Sequence, residues 1–395
     1  MNFLKRDDTF TIKLPNSDLV FTQYLYIKEE VCLILLVSIL NKSDDAIFWA
    51  YELYYSGFKY ELLNLIWKIY YDFFATLNPA YEAYFLKKHK ELLDEKQNEC
   101  IISSIIQDLL FRPFNTDVFM LRNICENFYI EIDYYNATEK ITNIDEVTFN
   151  FTQWIFNNDF RSIAQWILNI NKNILPIDVY KICLDIFDKE VKLLKSKLTK
   201  EFVSAIKVNI NINHILLSKI MTLFSKKAEL KKGKSIYVHV EPEDVIIYEP
   251  IIGSKEINPY KILEMAYMCG IDDFKHLSLF NLSRNKYDLQ KKYWYNWEYH
   301  ASFSPVWSKR IKQFKGYIDF IQQKVIFIDD DLMEDFYDVY GLEPDEQKTD
   351  VQNKSIQSIE KKYNWKWFNK QYKKNGLFEV YEEELEEFDV DGIKY

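Results

Sequence analysis

Glycine and proline are scarce in this chain of 395 residues, with 8 and 9 of each against average usages of about 7% and 5%. That scarcity excludes collagen-like repeats, Gly-rich linkers and turn-dense sandwiches, and Gly57 is the only glycine before Gly233. The five cysteines, Cys32, Cys100, Cys125, Cys183 and Cys269, are an odd number and well separated, which fits neither a disulfide framework nor a zinc ribbon and points to a reducing compartment. No apolar run is long enough to span a bilayer: the most apolar stretch, Val31 to Leu40, is half the necessary length. The N-terminus carries charges where a signal peptide needs its apolar core, so a soluble intracellular protein is expected.

Catalytic and cofactor motifs are missing too. No two glycines stand at a G-x-G spacing, which removes the dinucleotide fingerprint and the kinase glycine loop. Gly233-Lys234-Ser235 ends like a phosphate-binding loop, but Ala228 stands where its first glycine belongs. His239-Val240-Glu241 begins like a zinc deaminase site without the second, cysteine-bearing half. A non-enzymatic protein without a cofactor is the expectation.

Helical periodicity dominates what is present. Residues 28–41 are apolar almost all round, as in a buried helix. Ser43 with Asp44 and Asp45 marks the start of the next helix, and Gly57 marks its end. Further helices are expected at 59–77, 80–95, 98–111, 115–128, 145–157, 159–170, 177–200 and 203–226. Their connections are short, so sequential helices should form antiparallel hairpins, in a bundle or an irregular α-solenoid. The texture then changes. A β-hairpin is expected over 235–248, helices over 259–269, 287–300, 305–314 and 332–340, and a short buried strand over 324–329. The expected fold is mainly α with a smaller mixed α/β C-terminal module. The divisions are an N-terminal strand or arm (1–18), a helical domain (19–226), the mixed module (235–343), a basic aromatic segment (344–378) and an acidic tail (379–395).

Three groups of residues are candidates for function. Asp329, Asp330, Asp331 and Glu334 form a dense carboxylate cluster that suits a divalent metal, although capping of the following helix by Asp330 or Asp331 explains them more simply. The charge pattern is more informative than the net −10, because residues 379–395 hold eight carboxylates and one lysine. Against that tail, 284–315 and 361–374 interleave basic and aromatic residues: Lys291, Lys292, Trp294, Trp297, Lys309 and Arg310 in the first, Trp365, Lys366, Trp367, Lys370, Lys373 and Lys374 in the second. Such interleaving tracks a phosphate backbone while bases stack on the rings, as single-stranded nucleic acid requires. The simpler reading is a solvated lysine face over core tryptophans. For protein partners, Tyr381, Leu385 and Phe388 would line one stripe of a helix in the tail, and Tyr60, Leu65 and Ile66 satisfy a Tyr-x₄-Leu-apolar docking pattern.

The run from Asp44 through Trp49 and Tyr54 to Phe58, and the later run from Phe336 through Tyr340 and Pro344 to Gln347, resemble an uncharacterised protein family of giant, mimivirus-like nucleocytoplasmic DNA viruses. The lysine-rich, arginine-poor composition suits an AT-rich genome. The resemblance implies a viral origin and a setting in the host cytoplasm, at the viral factory, or inside the virion. It implies no activity and supplies no site residues. The expected function is a helical scaffold or adaptor acting through protein contacts, the alternatives being a nucleic-acid-binding factor in viral transcription or translation and an internal virion component.

Overall fold

A computed structural model describes residues 19–93, 99–127, 143–170, 174–187, 211–225, 237–251, 296–340, 349–350, 353 and 365–381. The expected N-terminal strand or arm (1–18), the helix at 259–269 and most of the acidic tail lie outside them. The chain is mainly α. Helix α1 (Lys28–Asn41) is followed by α2 (Asp45–Tyr55), α3 (Lys59–Ile69), α4 (Tyr81–Leu93), α5 (Cys100–Phe111) and α6 (Asp117–Asn127). Then come α7 (Ile144–Asn157), α8 (Phe160–Leu168), α9 (Pro176–Ile186) and α10 (Ile212–Phe224). The C-terminal part contains α11 (Trp297–Ala301), α12 (Pro305–Gln313), strands β1 (Tyr317–Asp319) and β2 (Lys324–Ile326), α13 (Asp330–Tyr340) and α14 (Trp365–Tyr372).

Local chemistry explains the helix ends. Asn143 caps α7 by accepting from the Asp145 and Glu146 N–H groups at 3.1 and 2.9 Å, and Asp159 caps α8 by accepting from Ser162 N–H at 3.1 Å. Pro305 takes the first position of α12, where its missing N–H costs nothing, and the Ser304 hydroxyl accepts from Trp307 N–H at 3.4 Å. Past the end of α3 the helix widens into a single π-turn, Tyr70–Phe74, in which Ala75 N–H reaches Tyr70 O at 2.8 Å. The sequence pattern over 59–77 continues across this turn and gives no sign of it.

Packing shows the helical half to be a bundle. Helix α1 lies on α2 and α5, and α10 lies on α6, α8, α9 and the π-turn. Elements far apart in sequence therefore meet, whereas a solenoid restricts each hairpin to its neighbours. The larger core runs from Val31 to Met221 and also takes in Val240, Val245, Phe368, Tyr372 and Phe378 from the C-terminal half. A smaller core gathers Trp297, Trp307, Ile311, Phe336 and Tyr340 around Leu19, Phe21, Leu25 and Ile27.

The stretch 19–27 joins the two cores. On one side Gln23 N–H donates to Ser56 Oγ at 2.7 Å and Tyr24 N–H to the buried Glu52 carboxylate at 3.0 Å. On the other, the Trp307 indole donates to Thr22 O at 2.9 Å and the Arg310 guanidinium to Gln23 O at 3.3 Å. Gly57 closes the same seam. Its φ is +94°, and a Cβ there would stand 2.5 Å from Pro305 Cβ, so only glycine satisfies both the turn and the close approach of α12.

Two expectations fail for local reasons. Instead of a hairpin, residues 237–251 form two 3₁₀ turns, Pro242–Asp244 and Ile246–Tyr248. Pro242 and the reciprocal cap between Glu241 and Asp244 start a helical turn, and Val238 N–H goes to the Asp108 carboxylate at 2.8 Å rather than to a partner strand. The strand expected over 324–329 is shorter, half-buried at best, and pairs antiparallel with β1, Tyr317 opposite Ile326 and Asp319 opposite Lys324. β1 spans three residues, too few for a periodic signal.

Candidate functional site

Helix α14 carries the second basic segment, and its two faces differ. Phe368 and Tyr372 are buried in the larger core and Trp367 is half-buried against it, while Lys366 and Lys370 are exposed. The Trp365 side chain lies outside the described set. The strap after α14 is pinned by Asp117, whose carboxylate accepts from Leu377 and Phe378 N–H at 2.9 and 3.2 Å. Burial raises the Asp117 pKa, and those two bonds oppose the rise. Gly376 makes this possible, since a Cβ there would stand 2.5 Å from the Asp117 carboxylate. Further on, the Arg161 guanidinium lies over the rings of Phe378 and Tyr381 at 5.2 and 4.6 Å. Lys373 pairs with Glu379 at 3.8 Å, the first acidic residue of the tail.

The docked strap leaves an open cavity of about 240 Å³ between α14 and the end of α1, lined by Leu40, Asn41, Lys42, Pro113, Phe114, Gln371, Tyr372, Lys374 and Asn375. Lys42 is the C-cap of α1, with φ +61°. Its ammonium donates to Arg112 O at 2.5 Å and Leu109 O at 3.1 Å, at the C-terminal end of α5, and lies over the faces of Phe74 and Phe114. Burial, helped by the Lys374 charge, brings Lys42 down to about 8. Tyr372 Oη–H donates to Asn41 Oδ1 at 2.9 Å, which turns the Asn41 amide so that its NH₂ remains as a donor. No carboxylate lines this cavity.

The first basic segment is not such a face. Trp297 is fully buried and meets Trp307 edge-on at 5.3 Å, so neither ring is available to a base. Arg310 is also buried, its guanidinium over Trp307 and Tyr340 at 4.5 and 4.9 Å. Only Lys309 of the described candidates stays exposed; Lys291, Lys292 and Trp294 lie outside the described residues. Trp297 and Arg310 are therefore removed as contacts for a nucleic acid, because they serve the core, as the simpler reading of a lysine face over core tryptophans expects.

Three other expectations meet the structure. Asp329 Oδ1 accepts from Leu332 N–H at 2.8 Å, so Asp329, rather than Asp330 or Asp331, caps α13. Those residues and Glu334 are exposed, and among the described residues no three His, Cys, Asp or Glu side chains converge as a metal requires. In the Tyr-x₄-Leu-apolar pattern Tyr60 is exposed, but Leu65 and Ile66 are buried in the larger core, so α3 does not offer them to a partner. Tyr381 is exposed beside Arg161; Leu385 and Phe388 lie outside the described residues.

A buried ionic cluster escapes sequence reasoning entirely. Asp72, on the π-turn, accepts from Arg122 Nη2 and Nε at 2.7 and 3.1 Å, and its Oδ1 lies 2.7 Å from His214 Nε2. Burial by itself would raise the Asp72 pKa; the Arg122 and His214 charges and hydrogen bonds outweigh it and hold the carboxyl well below the usual range. Beside it the Tyr71 hydroxyl donates to Glu82 at 2.7 Å, and Lys219 forms an ion pair with the same carboxylate. These groups satisfy one another inside the bundle, so their evident role is to set how α4, α6, α10 and the π-turn meet.

The fold defines the class: a mainly helical bundle with a small hairpin-bearing C-terminal part, in which no helix among the described residues is long and apolar enough to cross a membrane. Comparison with known proteins returned no matching family, no matching curated protein and no matching solved structure.

Proposed function

We infer that this chain is a non-enzymatic scaffold or adaptor acting through protein contacts, made in the giant-virus setting that its two resembling blocks imply. The observation that carries this reading is the outer face of α7. Val147, Phe151 and Ile155 bury one stripe of that helix, while Phe149 and Phe156, two turns apart on the opposite side, stand 67% and 76% exposed. A folded monomer gains nothing from two solvated phenyl rings on one face, whereas aromatic side chains on a rigid helix are the usual anchors of protein interfaces, having few rotamers to lose on contact.

The test is affinity purification from infected cells of the wild-type chain and of a Phe149→Ser/Phe156→Ser variant. Both substitutions lie on the solvent face, so folding stability should change by less than about 0.5 kcal/mol for each. A defined partner recovered with the wild type and lost with the variant is the expected result. Equal recovery with both, or recovery of the chain alone, would count against the reading.

A further inference from the structure

We propose that the cavity between the end of α1 and α14 binds a phosphate monoester, with Lys42 and Lys374 as its cationic ligands and the Asn41, Gln371 and Asn375 side chains as neutral hydrogen-bonding groups. This site is independent of the α7 face and of the scaffold reading.

Charge is the first argument. Two lysines line one cavity whose walls hold no carboxylate, and Lys374 forms no ion pair among the described residues, whereas its neighbour Lys373 is paired with Glu379. Two like charges brought together by folding are costly, and a bound dianion removes that cost. The depressed pKa of Lys42, caused by burial and then by Lys374, records the same repulsion. At neutral pH Lys42 still carries its proton. A phosphate monoester then carries about −1.5 to −2 charges and three acceptor oxygens, which matches two ammonium groups. A phosphodiester carries a single charge and matches them poorly.

Preorganisation is the second argument. The Lys42 ammonium is held by two carbonyls and two phenyl faces, so it has little freedom left to lose on binding. Left-handed backbone at Lys42 and at Asn375, φ +61° and +54°, brings the two rims of the cavity together. The Tyr372 bond to Asn41 and the Asp117 clamp on the strap hold them there. Size is the third argument: at about 240 Å³ the cavity lies below the roughly 300–1,000 Å³ of pockets for drug-sized ligands, so it admits the phosphate end of a molecule and leaves the remainder outside.

The test uses the full chain near neutral pH at matched ionic strength. Thermal unfolding is followed while O-phosphoserine, dimethyl phosphate or sodium chloride is titrated in. The wild type should show a saturable rise in melting temperature with O-phosphoserine alone. Lys374→Gln, at an exposed position, should keep the fold and weaken the apparent affinity about tenfold, the scale of one lost charge-assisted hydrogen bond. Lys370→Gln removes an equal charge from α14 outside the cavity and should bind like the wild type. The proposal is overturned if O-phosphoserine leaves the wild type unmoved, if Lys370→Gln and Lys374→Gln lose affinity equally, or if dimethyl phosphate stabilises as well as O-phosphoserine; that last outcome would point to a nucleic-acid backbone instead.

Discussion

Replacing Glu298 with Gln should stabilise the smaller core in alkaline solution and leave it nearly unchanged in acid. Glu298 is fully buried on α11, where the Tyr337 hydroxyl donates to its carboxyl group. Burial pushes its pKa from the ordinary 4.5 up to about 7, with the Tyr337 hydrogen bond and the Lys324 charge opposing part of the rise. A carboxyl whose folded pKa lies above its unfolded value holds its proton longer in the native state. Native stability is then greatest below the unfolded pKa and falls as pH rises through the interval from 4.5 to about 7. Glutamine keeps the size and an acceptor for Tyr337 but cannot ionise. Linkage over that shift gives a difference between variant and wild type that widens by about 2–3 kcal/mol between about pH 5 and about pH 8, in favour of Gln. Urea unfolding of both chains at the two pH values measures it, and native hydrogen exchange at residues 297–311 locates it in the smaller core. A difference that does not change with pH would refute the reasoning, since it would mean that Glu298 ionises in the folded chain as readily as in the unfolded one.

Two further substitutions probe the larger core and the seam. Arg122→Met removes the bidentate partner of Asp72 and leaves that buried carboxylate with His214 alone; a loss of about 3–5 kcal/mol is expected in urea unfolding, and a loss below about 1 kcal/mol would mean that water reaches the cluster. Gly57→Ala places a Cβ against Pro305 at a φ of +94°, so a cost of about 1–3 kcal/mol is expected, with faster exchange at α12 amides. Unchanged stability would show that the α2–α3 turn relaxes without disturbing α12.

Much of the helical half is legible in the sequence because helix formation is local. The apolar run at 28–41 coincides with α1, and capping residues such as Asn143 and Asp159 stand where the chain turns. Periodicity and caps report what a segment does against any apolar neighbour. They do not report which neighbour. The π-turn at Tyr70–Phe74 is invisible within a helical pattern, and the 3₁₀ turns after Glu241 arise because Val238 finds Asp108 rather than a partner strand.

The sequence by itself determined the mainly helical class, the approximate bounds of most helices, and the concentration of acid in the last residues and of lysine just before them. Only the tertiary structure decided what the aromatic and charged residues do. Trp297, Trp307 and Arg310 have the composition of a nucleic-acid platform and are spent on a core. Asp72, Arg122 and His214 are ordinary residues far apart in the chain until helix packing makes them one cluster. Lys42 and Lys374 become one cavity because Asp117 clamps the strap after α14 against the bundle. Burial and charge proximity are properties of which helix faces meet, and pairwise meeting of faces is a long-range outcome that no local period encodes.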